Sequence, residues 1–246
     1  MTLLDHFSEL RKRLMVVFIG WVIGAAVAYT IRFYLLDWIR APLPDEVTLT
    51  FFSVLEPFSV SMAISAFFGL VIISPLIIGQ LWGFVAPGLY RTERRYAVPF
   101  IFFAALAFVS GVAFAYFVVM PFTIPILLGF LGTQAVGMLS IGQYVSNMLV
   151  LMGMFGLMFE MPVLGYLFAK LGVISAEFLT QHRRWAIVIG LILAAVITPT
   201  GDPFNMGLVA IPLLGLYELT IWVARWAGKQ STVEHAREDP ELTNRY

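Results

Sequence analysis

From Tyr96 to Phe159 the chain reads YAVPFIFFAALAFVSGVAFAYFVVMPFTIPILLGFLGTQAVGMLSIGQYVSNMLVLMGMFGLMF, without one acidic, basic or histidine side chain. A helix rises about 1.5 Å per residue, so about 20 apolar residues cross a hydrocarbon core of about 30 Å. The stretch is therefore too long for one crossing. Pro121, Pro125, Gly129, Gly132 and Gly137 interrupt it where a helix does not easily continue. It divides into predicted spans at residues 97–120 and 143–169.

Working outward, the same length criterion marks residues 14–31 and 60–84 before this stretch, and 185–197 and 204–223 after it. Six spans result, joined into one polytopic domain over residues 1–228, with a polar and mobile tail expected at 229–246. Composition agrees. Hydrophobic residues make up 60% of the 246 residues and charged ones only 12%, with a mean hydropathy of +0.90. A soluble domain carries nearer a quarter charged residues to wet its surface, so lipid must be much of the solvent here.

The basic residues give an independent test of the count. Arg11, Lys12, Arg13, Arg91, Arg94, Arg95, Lys170, Arg183, Arg184, Arg225, Lys229, Arg237 and Arg245 all fall on one side of a six-span chain. Only Arg32 and Arg40 fall on the other. The positive-inside rule makes the crowded side the cytoplasm and places both termini there. The segments 32–57 and 121–142 then lie outside; punctuated by Pro and Gly and rich in Phe and Leu, they are expected to cap the outer helix ends.

Other classes fall away. Net charge is zero with Lys and Arg scattered, which gives no footprint for nucleic acid. No Cys is present, and the three His are far apart, so no metal motif and no cofactor are expected. The run after Arg13 ends in Arg32 and aromatics, unlike a cleaved signal peptide.

Four carboxylates need an account. Glu160 sits ten residues before Lys170, deep in its span, where an acid costs about 3 kcal/mol on insertion scales. It either makes an interhelical hydrogen bond or faces a polar recess; Pro162, close by, frees a carbonyl beside it. Glu218 interrupts the last span. Either it is buried and paired, or residues 185–197 and 204–217, about 20 and 21 Å long, form a short hairpin that pinches the membrane or presents a docking edge. Leu3, Phe7, Leu10 and Leu14 share a helical face, so residues 2–14 are expected to lie on the interface as an amphipathic helix before turning into the first span. On that helix Glu9 has Arg13 at i+4, a local pair worth a few tenths of a kcal/mol. Glu93, among Arg91, Arg94 and Arg95, admits an equally local role in charge balance.

Seven motifs in order carry a family resemblance: His6-Phe7-Ser8-Glu9-Leu10-Arg11-Lys12-Arg13-Leu14; Glu56-Pro57-Phe58; Gln80-Leu81-Trp82-Gly83-Phe84-Val85-Ala86-Pro87-Gly88-Leu89-Tyr90-Arg91-Thr92-Glu93-Arg94; Phe114-Ala115-Tyr116 with Met120-Pro121; Phe159-Glu160-Met161-Pro162; Thr198-Pro199 with Asp202; and Ala210-Ile211-Pro212 with Leu216-Tyr217-Glu218. Together they resemble the twin-arginine translocase subunit TatC. The resemblance implies an all-α membrane protein forming a concave bundle in the bacterial inner membrane. It implies a receptor, not an enzyme, that binds Arg-Arg signal peptides of folded cargo and draws on the proton-motive force. TatA- and TatB-type subunits are the implied partners, in a hetero-oligomer that holds more than one copy of the chain. It assigns Glu9 and Glu93 to the signal peptide's arginines, with Arg11, Phe84 and Pro87 shaping the neighbouring surface. Glu160 goes to a membrane-facing recess, and Thr198, Pro199, Asp202, Asn205 and Glu218 to partner docking. Two positions depart from the family's pattern: a common lysine would fall near Ala63, and a common glutamine at Met206, where Asn205 is the available substitute.

The rivals are a proton-coupled secondary transporter using Glu160 and a membrane-embedded enzyme. The first commonly carries inverted repeats and paired broken helices, and neither is visible. The second needs clustered polar groups at mid-membrane, whereas Glu160 and Glu218 stand on different spans.

Overall fold

The computed structural model describes residues 3–44, 47–85, 97–129, 138–198 and 203–238. Helix α1 runs Leu3–Thr30, α2 Arg32–Arg40, α3 Glu56–Ile72, α4 Ser74–Val85 and α5 Ala97–Phe114. After a π-turn at Ala115–Val119, α6 occupies Met120–Gly129, and α7 follows as Ile141–Lys170. The chain ends with α8 (Ala176–Gln181), α9 (Arg183–Ile197) and α10 (Pro203–Glu238). Four helical stretches are long and apolar enough to cross a membrane, Phe7–Thr30, Val98–Gly129, Ile141–Lys170 and Asn205–Gly228, and the bent pair α3–α4 makes a fifth.

Several expectations are corrected. The amphipathic segment does not turn into the first span; α1 is one continuous helix of 28 residues. Residues 60–84 are not one straight helix, because α3 and α4 meet at a 56° bend. The bend follows from Ser74-Pro75: a proline fits the first turn of a new helix, where its missing amide costs nothing, but not the interior of a continuing one. Conversely, Pro121 and Pro125 do not end their helix. The Met120 amide donates to the Ala115 carbonyl, five residues back, and this widened turn stands immediately ahead of Pro121. The last span does not stop at Glu218: the helix is long and apolar enough to cross a membrane over Asn205–Gly228, with Glu218 and Arg225 inside it, and it continues through the start of the expected tail to Glu238. Helix α9 does stay short, at 15 residues or about 22 Å.

The chain divides into two compact units, residues 1–156 and 157–246. In the first, α1 lies against α3 with no side chain between them at Gly24 and Gly69. A Cβ on Gly69 would stand 2.4 Å from the Ala25 nitrogen, and one on Gly24 would stand 2.8 Å from the Gly69 carbonyl oxygen. One turn away the Trp21 indole donates to the Ala66 carbonyl at 2.9 Å. The core of this unit joins α5 to the first half of α7 through Ala104, Phe108, Val112, Met148, Met152 and Phe155.

Segments 32–57 and 121–142 meet, as a cap requires. A feature not anticipated from sequence joins them: parallel strands β1 (Thr48–Thr50) and β2 (Met138–Ser140), with Leu49 opposite Leu139. The Glu56 carboxylate closes this junction. It accepts from the Phe52 amide at 2.8 Å, the Gly142 amide at 2.7 Å and the Ser140 hydroxyl. Beside it Tyr116 stacks on Trp38 and donates to the Trp38 carbonyl at 2.7 Å, while Tyr144 donates to Ile39 at 2.9 Å. The π-turn carries Tyr116 and so sets where this contact falls.

In the second unit α9 and α10 form an antiparallel hairpin. Ala169, Ala176, Ala224 and Ala227 pack together under Tyr166 and Leu179, and Tyr217 donates to the Leu179 carbonyl at 2.7 Å.

Replacing Gly69 by Val forces α3 off α1, an overpacking that costs about 1–3 kcal/mol or more. The expected outcome is a lower midpoint of thermal unfolding for Gly69→Val in detergent, followed by circular dichroism. Gly129→Val, at an open position, is expected to leave the midpoint close to wild type.

Candidate functional site

Glu9 and Phe84 belong to elements that one side chain ties together. Arg13 reaches back one turn on α1 to Glu9, its Nη2 at 2.5 Å and its Nε at 3.3 Å from the same oxygen, Oε1. Its Nη1 donates to the Gln80 carbonyl on α4 at 3.1 Å. The i,i+4 pair expected from sequence is therefore present, but it also anchors α1 to the last turns of α4. Among the described residues the second carboxylate oxygen of Glu9 accepts no hydrogen bond, and the group is about a quarter exposed. Arg11 is exposed and Phe84 partly buried at the end of α4. Glu93 and Pro87 lie outside the described residues.

Gly83 makes this arrangement possible. A Cβ there would stand 1.9 Å from Arg13 Nη1 and 2.9 Å from Arg13 Cζ. The guanidinium lies where any side chain at position 83 would begin. Arg13, Gln80 and Gly83 were not singled out as site residues from sequence. Gly83 and Gln80 stand inside the most specific motif, which was the available signal; a backbone carbonyl as acceptor leaves none.

Glu160 sits in the second half of α7, ten residues before its end at Lys170, or about 15 Å along the axis. It is partly buried. Among the described residues it has no hydrogen-bond or ion-pair partner, so the interhelical bond, one of the two readings of this acid, is not seen there. Pro162 lies inside the same unbroken helix, and its missing amide leaves the Met158 carbonyl without its helical donor.

Glu218 is paired but not buried. Its Oε2 lies 2.7 Å from Arg183 Nη2, with both side chains about half exposed, so the bridge spans α9 and α10 at the surface. Exposed pairs of this kind contribute about 0–1 kcal/mol. Thr198 and Asn205, assigned to docking, are both buried. The Thr198 hydroxyl turns back onto the Ala194 carbonyl at 2.9 Å. Pro199 and Asp202 lie outside the described residues. Among the described residues no group of three His, Asp or Glu stands together to hold a metal ion. Chemically these places hold a carboxylate gripping a guanidinium in the first unit, an acid without a partner among the described residues in an apolar helix, and a hairpin with exposed apolar side chains. Trp185, Ile189, Ile192 and Val196 along α9 are all exposed.

Gly83→Val is expected to displace Arg13 and free Glu9 from α4. Site-specific cross-linking between positions 9 and 84 measures this; it falls severalfold in Gly83→Val while the helical content stays unchanged.

Comparison with known proteins places this geometry. Residues 5–212 match the family of the Sec-independent protein translocase protein TatC. The TatC protein of Carboxydothermus hydrogenoformans is 39% identical over 227 residues, covering 92% of this chain and 93% of that protein. The one from Aquifex aeolicus is 38% identical over 235 residues, covering 94% and 97%. The one from Deinococcus radiodurans is 37% identical over 230 residues, covering 91% and 85%. A crystal structure of the twin arginine translocase receptor TatC superposes with a TM-score of 0.81 at 38% identity, over 90% of this chain and 99% of that one.

Proposed function

The chain belongs to the TatC family, and from that premise we propose that it is the receptor core of a twin-arginine translocase, binding Arg-Arg signal peptides through Glu9 and Glu93. The protein is a multi-pass membrane component of a protein translocation system, works with other Tat subunits and is not an enzyme. In the proposed arrangement six spans cross the bacterial inner membrane with both termini in the cytoplasm, where cargo arrives. TatA- and TatB-type subunits dock along the α9–α10 hairpin, and the proton-motive force drives transport.

One observation carries the receptor assignment. Glu9 already holds a guanidinium, that of Arg13, at 2.5 Å, which is the chemistry a signal-peptide arginine requires. Both Arg13 donors use Oε1, and among the described residues Oε2 is left open for a second donor. Arg11, exposed two residues further along α1, adds positive charge nearby, Phe84 gives an apolar flank, and Glu93 with Pro87 supplies the second acceptor and its support. Glu160 provides a polar point within the apolar surface along which a partner helix or signal peptide lies.

A hydrogen bond to a charged group contributes about 1.5–3 kcal/mol, so Glu9→Gln or Glu93→Gln is expected to weaken signal-peptide cross-linking roughly 10- to 100-fold. A Lys-Lys peptide behaves like the variants, because lysine lacks the bidentate fork. Undiminished cross-linking in both variants removes the assignment. Glu160→Gln is expected to lower export of a folded reporter, or partner co-purification, several-fold with the unfolding midpoint retained. Wild-type export by that variant reduces Glu160 to a passive role.

A further inference from the structure

The second unit contains a cavity that the receptor function does not use. It has a volume of about 680 Å3 and is lined by Gly172, Ser175 and Glu177 from the α7–α8 connection and α8, and by Trp222, Arg225 and Trp226 from α10. Charge gathers at this end of the unit, with Lys170 closing α7, Glu177 on α8 and Arg225 on α10. The cavity therefore opens where hydrocarbon gives way to headgroups, the level at which Trp collects.

Its chemistry is of mixed sign. The Arg225 guanidinium makes only a long contact, 3.4 Å, to the Thr180 hydroxyl. Glu177, from the α8 part of the lining, is exposed. Among the described residues neither meets an opposite charge within ion-pairing distance. Trp222 and Trp226, on successive turns, are 71% and 58% exposed, which is costly for two indoles unless lipid covers them. The Trp226 ring lies 5.9 Å from Tyr166, and so extends an aromatic wall toward α7.

We propose that this cavity is a site for a zwitterionic phospholipid bearing a primary amine, a phosphatidylethanolamine headgroup. The phosphodiester accepts from Arg225 in the bidentate manner that suits a guanidinium. The ammonium donates to Glu177 and rests against the indole faces, and the acyl chains run down α10 past Trp222. A volume of this size holds one headgroup. A phosphatidylglycerol headgroup satisfies Arg225 but brings no cation to Glu177. A choline headgroup brings a cation with no N–H to donate.

The test is native mass spectrometry of the full-length protein, delipidated in detergent and titrated separately with phosphatidylethanolamine, phosphatidylglycerol and phosphatidylcholine. The wild type is expected to retain phosphatidylethanolamine about tenfold better than either rival. Glu177→Gln brings the three lipids within about twofold of one another, and Arg225→Gln weakens all of them about tenfold. Both side chains are exposed, so the unfolding midpoints of the variants are expected to match wild type, which separates binding from folding. Equal retention of the three lipids by the wild type, or an undiminished preference in Glu177→Gln, overturns the proposal. Displacement of bound lipid by millimolar inorganic phosphate also overturns it, in favour of a free-phosphate site.

Discussion

Hydrocarbon offers the polypeptide backbone no hydrogen bonds, so each peptide group inside the bilayer must find its partner within the protein. The long helices here are the direct result, and so is the way their irregularities are absorbed. Proline at 125, 162 and 212 sits inside unbroken helices and removes one donor at each place. Ahead of Pro121 the widened turn at Ala115–Val119 redistributes the ladder. Hydroxyls follow the same economy: Ser61, Ser65, Thr198 and Thr220 each donate to the carbonyl one turn back, at 2.7–2.9 Å. None of them needs a neighbouring helix.

With the backbone and hydroxyls satisfied internally, little is left to hold one helix to another except close fit and a few polar bridges. The first unit shows both. Gly24 and Gly69 bring two backbones into contact, the Trp21 indole crosses to Ala66, and Arg13 ties the start of α1 to α4. In the second unit Arg183 and Glu218 play the bridging part between α9 and α10. Glu160 is an acid within an apolar helix that has no hydrogen-bond or ion-pair partner among the described residues.

Hydropathy and charge were enough to locate the apolar runs and to separate α5 from α7, while the seven motifs carried the family resemblance that the comparisons bear out. The finer geometry was harder to see. Nothing in a uniformly apolar run distinguishes a straight helix from two helices bent at Ser74-Pro75, because both satisfy the same hydropathy. The prolines at 121 and 125 were over-weighted, since lessons from water-soluble helices overstate proline as a terminator when lipid leaves the chain no alternative partner. Strands of three residues, such as β1 and β2, are too short for any alternation to show, and their pairing joins residues 48 and 138 across most of the first unit. At the candidate site Glu9 was legible as an acid on an amphipathic face. Its anchoring was not, because Arg13 spends its third bond on a carbonyl that every residue type possesses.

The contact between α1 and α3 bears on how the protein is made. Its polar stitch, from Trp21 to Ala66, joins positions 45 residues apart, with α2 and β1 between the two helices among the described residues. Most of the side chains of α1 keep some exposure in the folded chain, and α3 is the helix it packs against most closely. Once α3 follows it out of the ribosome, the two can dock before the remaining spans exist. The first pair is then a seed on which later helices are laid, and an early fault at Gly24 or Gly69 would be inherited by everything inserted afterwards.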